Sequence, residues 1–298
     1  MDQNTPPAAR AQFAPGFAAR VAGFAFEQAA RRRSPREDFA SSGSAVCAGA
    51  GEFAGRRRYR AGDDLRAFDW EAFARGAGAL VRLSRRESGE RWSVLVDSSA
   101  SMAVGAADSA PKVQLACELA LAVCAVGLAF GGEVALATQR GICVLRTQRD
   151  IAHAFSELDG LECAGVSGLA QWFDHPALAR ASRCIAIGDL FDVDPALVAV
   201  HAAKRRRLDA LCVLAAVEFA PFSCLEQGES VEWRDPESGE IFVARLGVAE
   251  VARYAAALTE HQRHWRASLA RVGGQLVLAR AGDAFEPHAR RLLQAQRA

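Results

Sequence analysis

From Arg91 onward the chain alternates short, nearly continuous apolar runs with longer stretches of helical spacing, and few folds tolerate that rhythm. The runs Trp92–Val96, Val134–Thr138, Ile142–Arg146, Cys184–Ile187, Ala210–Val217 and Gln275–Ala279 predict strands. Lys112–Phe130, Asp150–Leu158, Leu169–Phe173, Pro195–Arg207, Val248–Arg271 and Ala284–Gln296 predict helices between them. Strands that are apolar on both sides need cover on both faces. The expected class is therefore α/β, a Rossmann-like, mostly parallel sheet with helices on each face. The link Gln139-Arg140-Gly141 is far too short for a parallel crossover, so its two strands are antiparallel neighbours, most simply at a sheet edge. A second hairpin is expected in "VEWRDPESGEIFVARL", where Asp235-Pro236-Glu237-Ser238-Gly239 gathers turn formers between alternating strands.

Ahead of this region, residues 1–50 are rich in Ala, Gly, Ser, Pro and Arg and read as a poorly structured or partly helical segment, with a short helix near Phe17–Arg33. Residues 51–90 form a charged, Arg-rich β segment, and 91–298 the α/β domain with its hairpin and closing helices. In the middle segment, Arg56-Arg57-Arg58 and Arg60 stand beside Asp63, Asp64, Arg66 and Asp69. Such charges serve a salt-bridged turn or a docking surface, and the sequence leaves both open. With 36 basic against 35 acidic residues the net charge is +1, which argues against a surface built to coat nucleic acid or membrane. The eight cysteines show no C-x-x-C pair, and several lie inside apolar runs, which points to free thiols in a reducing compartment. The first residues show no apolar core after a basic start. Leu119–Phe130 is a twelve-residue apolar run, too short to span a bilayer. A cytoplasmic protein with no membrane span is expected. The six histidines lack a zinc-site spacing and are expected at the surface; the five tryptophans are expected to serve packing.

The chemistry concentrates where apolar runs end. "SVLVDSSASMAVG" places Asp97, Ser99 and Ser101 directly after one strand, and "CIAIGDLFD" places Asp189 directly after another. Ligands of open parallel sheets sit beyond the carboxyl ends of the strands. Taken alone, the first motif reads as a polar turn in which Ser99 or Ser101 caps a local helix. With Asp189 opposite, the set suits Mg²⁺, which takes oxygen ligands at about 2.0–2.1 Å and retains water; Mn²⁺ or Ca²⁺ suits the same donors. Ser167 in "CAGVSGLAQW" is a further hydroxyl candidate, while Asp192 and Asp194 read as turn and helix-cap residues before Pro195.

Asp97-x-Ser99-x-Ser101 after an apolar strand resembles the metal-ion-dependent adhesion site (MIDAS) of von Willebrand factor A domains, with Ser167 and Asp189 at the places of that family's Thr and second Asp. "GEFAGRRRYRAGDDLRAFDWEAFAR" and "WRDPESGE" resemble segments of domain-of-unknown-function family 58 (DUF58), whose members carry an A-type domain. The resemblance runs from about Gly51 to the end of the chain. It implies a noncatalytic, metal-dependent protein-interaction module acting with a MoxR-type AAA+ ATPase in chaperone-like maturation of a client protein. A Mg²⁺-dependent hydrolase or phosphoryl-transfer enzyme on the same sheet is the competing reading. Against it, the chain has no G-x-x-x-x-G-K-[ST] phosphate loop and no G-x-S-x-G elbow. Nucleic-acid binding through the arginine runs is a third reading, weakened by the near-zero net charge.

Overall fold

The computed structural model describes residues 9–32, 52–59, 68–85, 90–105, 110–166, 169, 172, 175–178, 180–196, 207–219, 230–245 and 247–294. The chain divides into two compact units, Met1–Ala29 with Glu90–Ala298, and Ala30–Gly89. A first helix, α1, spans Phe17–Arg32.

In the smaller unit, β1 (Glu52–Arg58) pairs antiparallel with β2 (Leu80–Arg85), with a register slip between Phe53 and Gly55. The short α2 (Trp70–Ala74) is capped by buried Asp69, whose Oδ1 accepts the Ala72 N–H at 2.9 Å. Its Oδ2 accepts Arg56 Nε, so this arginine ties the strand to the start of the helix. Of the charges singled out in this segment, Arg56 and Asp69 thus pair within the unit itself; Arg60, Asp63, Asp64 and Arg66 lie outside the described residues. Trp70 departs from expectation: it is 63% exposed, whereas Trp92 and Trp265 are buried. Its ring does lie 4.6 Å from that of Phe68.

The larger unit is built on a six-stranded sheet of β3 (Arg91–Val96), β4 (Glu133–Thr138), β5 (Gly141–Leu145), β6 (Arg183–Gly188), β7 (Leu208–Leu214) and β10 (Leu276–Arg280), in the order β10-β7-β6-β3-β4-β5. Every neighbouring pair is parallel except β4 and β5, which form the tight antiparallel hairpin at one edge. Alternate side chains of the inner strands enter two cores. Val94, Val96, Ile185, Ile187, Leu211 and Val213 join α3 (Lys112–Ala129) and part of α1 on one face. On the other face, Leu95, Ala186, Ala210, Cys212 and Leu214 meet Trp265 and Leu269 of the long α6 (Val248–Ala270). This two-sided burial is why the strands read as unbroken apolar runs. A window of α3 is apolar enough to cross a membrane, and 83% of it is buried inside the fold as a core helix.

The first core is closed by both ends of the unit. Phe17 and Phe24 of α1 set their rings 5.4 and 5.6 Å from that of Phe285 in α7 (Phe285–Gln294), and Arg20 pairs with Glu286 at 2.6 Å. Alongside, α4 (Ile151–Leu158) brings Phe155 to Phe13. The hairpin of β8 (Ser230–Arg234) and β9 (Ile241–Arg245) forms a two-stranded sheet of its own. Its turn is held by the Asp235 carboxylate, which accepts from the Glu237 N–H and the Ser238 hydroxyl.

One strand is shorter at its end than its apolar run. The run from Ala210 to Val217 leaves the sheet after Leu214, and Ala216–Phe219 turns into a short helix, α5. The reason is local: Glu218 Oε2 reaches back to accept the Ala215 N–H at 2.6 Å, as a third-position acid does at a helix start. Of the helices expected at 169–173 and 195–207, Leu169, Trp172, Pro195 and Ala196 are helical and the remaining residues lie outside those described, apart from Arg207 just before β7.

Candidate metal centre

The strand order reverses between β3 and β6: the chain continues from β3 through α3 to β4 on one side, while β6, β7 and β10 extend the other. Asp97 follows the last residue of β3 and Asp189 the last of β6, so adjacent parallel strands deliver both acids to one edge. Asp97 N–H donates to Ile187 O at 2.8 Å, which joins the two strand ends. The fit leaves no room at Gly188, where a Cβ would lie 2.6 Å from Asp97 Cβ.

Beyond β3 the chain folds back over the Asp97 side chain. Asp97 Oδ1 accepts the Ser99 N–H at 2.9 Å, and a 3-10 turn over Ala100–Ala103 then aims Ser101 at the other strand. Ser99 Oγ lies 3.0 Å from Ser101 Oγ, and Ser101 Oγ donates to Asp189 Oδ2 at 2.7 Å. Asp97, Ser99 and Asp189 are nearly removed from solvent, at 3%, 0% and 1% exposure. Immediately after Asp189, Leu190 takes a positive φ of 65°, a costly conformation for a branched side chain. The turn lets Phe191 N–H bond back to Asp189 Oδ1 at 3.3 Å.

A third loop joins the first through backbone bonds from Ala164 N–H to Ser98 O and from Ala100 N–H to Gly165 O. Gln139 Nε2 clamps both, donating to Ser98 O and Ala164 O at 2.8 and 2.7 Å. Burial, with the Asp97 carboxylate nearby, pushes the Cys163 thiol of this loop up to about 12. Ser167 lies two residues past Gly165, outside the described residues.

Lys112, the first residue of α3, has no solvent exposure, and its ammonium sits 2.7 Å from Asp189 Oδ2 and 2.6 Å from Glu218 Oε1. Burial alone pulls a lysine's pKa down, yet the two carboxylates outweigh it and hold Lys112 above its ordinary value. Glu218 is anchored in turn, since its backbone carbonyl accepts the Tyr254 hydroxyl from α6 at 2.6 Å. Asp192, three residues past Asp189, is exposed as a residue. Loss of some water around its carboxyl, then a hydrogen-bonded Glu237 from the β8–β9 turn, raises it to about 6, with Asp189 and Asp97 adding weaker repulsion. His261 is no surface residue: it is half-buried, its ring 5.5 Å from Phe191.

These donors fit a hard divalent ion. Octahedral coordination at about 2.0–2.1 Å places neighbouring ligand oxygens roughly 2.8–3.0 Å apart. The Ser99–Ser101 and Ser101–Asp189 oxygens stand 3.0 and 2.7 Å apart. Among the described residues no three His, Cys, Asp or Glu side chains are grouped as metal ligands, so any ion here relies on hydroxyls as well as acids. That mixture suits Mg²⁺, Mn²⁺ or Ca²⁺ and not zinc.

A family model described as "Protein of unknown function DUF58" matches residues 55–264, which is most of the chain and contains every residue of the centre. The chain belongs to the DUF58 family. No curated protein matches it. Within this DUF58 protein, the sequence reading pointed to Asp97, Ser99, Ser101 and Asp189, which converge. Lys112 and Glu218 were missed, and Asp192 was read as a turn residue only. The one signal for Lys112 was a lysine heading an otherwise apolar helix; Glu218 was hidden in what looked like the tail of a strand.

Proposed function

We propose that this DUF58 protein is a noncatalytic, metal-dependent interaction module of von Willebrand factor A type, working in the cytoplasm. Its partner in this reading is a MoxR-type AAA+ ATPase, and its task the chaperone-like maturation of a client protein. The observation that carries the reading is the convergence of two carboxylates and two hydroxyls at the carboxyl edge of β3 and β6, with oxygen separations that suit a hard cation. The choice of partner rests on what the resemblance to that family implies. Bound there, Mg²⁺ supplies residual positive charge to which a partner's Asp or Glu is drawn, more strongly in a partly dry interface than in water.

The chain's own groups divide the work. Asp97 brings charge and, through the Ser99 N–H, fixes the loop. Ser99 and Ser101 offer oxygen without charge, which leaves a bound ion's charge incompletely offset. Asp189 joins the two strand ends through Ser101. Ser167 stands as the further hydroxyl of this reading.

The test is titration calorimetry of the purified ATPase against wild type and Asp97→Asn, each in Mg²⁺ and in chelator. The Asn variant keeps an oxygen for the Ser99 N–H, so the loop survives while the charge is lost. Binding is expected for wild type in Mg²⁺ alone. Equal affinity in all four conditions refutes the metal-dependent reading.

A further inference from the structure

A lysine is an unexpected residue for the place Lys112 occupies. The first turn of a helix disfavours positive charge, because the aligned peptide dipoles present their positive end there. A buried ammonium is costly again unless it is fully paired. Here the pairing is with Asp189 Oδ2, the same oxygen that accepts the Ser101 hydroxyl, and with Glu218 Oε1. The Phe191 ring lies 5.9 Å from the ammonium and completes its enclosure.

The ammonium stands between two carboxylates, so it offsets charge that Asp189 would otherwise present to a cation. Glu218 has no contact with the two hydroxyl donors in this arrangement; its side chain is engaged with Lys112 and the Ala215 N–H.

We infer that Lys112 is a resident counter-ion of the centre: it competes with the divalent ion for Asp189, and Glu218 is the seat that retains it when the ion binds. The Lys112–Glu218 pair then sets how tightly the centre holds metal. Removing the ammonium frees an Asp189 oxygen and deepens the negative charge, so affinity rises. Removing the Glu218 charge leaves the ammonium on Asp189 alone, so affinity falls. A charge within several ångströms of a partly buried ion changes its affinity by about tenfold or more at the effective dielectric of such sites.

This inference rests on the metal-centre reading, and the experiment separates the two. Mn²⁺ binding to the full chain is measured by electron paramagnetic resonance of the free ion for wild type, Asp97→Asn, Lys112→Met and Glu218→Gln. Melting temperatures are recorded with and without Mn²⁺. The expectation is binding about tenfold tighter in Lys112→Met and about tenfold weaker in Glu218→Gln. Lys112→Met should also melt lower than wild type in chelator and recover in Mn²⁺, a rescue that a purely structural lysine does not give. Should Lys112→Met fail to fold, Glu218→Gln decides alone, because it is nearly isosteric and keeps an oxygen for the Ala215 N–H. Unchanged affinity in Glu218→Gln, or unchanged or weaker affinity in Lys112→Met, overturns the inference while the metal centre stands. No Mn²⁺ binding by any of the four proteins, or binding that Asp97→Asn leaves intact, overturns the metal centre itself.

Discussion

An added methyl group at Gly188 measures how tightly the two strand ends are set. A Cβ at this position falls 2.6 Å from Asp97 Cβ, 3.1 Å from its Oδ2 and 3.3 Å from its Cγ. Carbon atoms settle at about 3.5–4.0 Å, so β6 and the end of β3 must part by roughly 1 Å. They resist, because Asp97 N–H is bonded to Ile187 O next door. Such overpacking costs about 1–3 kcal/mol, offset by about 0.4–1 kcal/mol from the lost freedom of glycine in the unfolded chain. The net for Gly188→Ala is a destabilisation of about 1–2 kcal/mol, or a melting temperature lower by roughly 2–8 °C for a chain of this size. Metal binding should suffer more than stability, because ligand distances hold only within about 0.2 Å. Gly127→Ala is the control. Its Cβ falls 2.7 Å from Val134 Cγ2 and 3.0 Å from Trp92 Cε3, a similar crowding among core side chains with no metal donor involved. Thermal melts and Mn²⁺ titrations of both variants are the assay: stability is perturbed in each, affinity in Gly188→Ala alone. A Gly188→Ala protein with wild-type melting and wild-type Mn²⁺ affinity would refute the close-approach argument.

Two further changes test the framework around the centre. Asp209 is fully buried and accepts Arg183 Nε at 2.7 Å and Arg207 Nε at 2.9 Å, so Asp209→Ala strands a buried guanidinium. Urea denaturation should show a loss of about 3–5 kcal/mol, and a loss below about 1 kcal/mol would show that the pair is dispensable. The Asp192 carboxyl, raised in the folded protein to about 6 from its ordinary 3.8, makes the folded state the stronger proton binder between those values. Its contribution is therefore full below about pH 3.8 and fades as pH rises through about 6. Asp192 is exposed, so screening keeps the effect below about 1 kcal/mol. In chelator, wild-type stability should fall from pH 4 to 6.5 relative to Asp192→Asn; parallel curves would show that the Asp192 carboxyl is not raised in the folded protein.

The sheet was legible because burial on both faces writes itself into consecutive residues, as in "WSVLV" and "CIAI". The antiparallel edge followed from one three-residue link, and the position of Asp97 and Asp189 from the rule that strand ends carry function. What stayed hidden depends on contacts across the chain. Lys112 meets Asp189 77 positions away and Glu218 106 positions away, and no local pattern reports either meeting. The helical turn at Ala216–Phe219 was masked because Ala-Val continues an apolar run whether or not the backbone stays extended. Asp192 looked like its neighbour Asp194, which does cap the Ala196 N–H; only the β8–β9 turn, bringing Glu237 alongside, sets it apart.

The embrace of α1 by α7 has a consequence for how the protein is made. Arg20 and Glu286 are 266 positions apart. At about 5–20 residues per second, the ribosome needs roughly 13–53 s to deliver the second after the first. During that interval α1, at 16 residues, is only just past the length below which an isolated helix is marginal in water. Phe17 and Phe24 wait without Phe285. The elements β1, α2 and β2 leave the ribosome inside that interval and precede every strand of the six-stranded sheet, so they can pair while α1 is still without α7. The larger unit thus seals last what it started first, and its earliest apolar residues are the ones that most need shielding during synthesis.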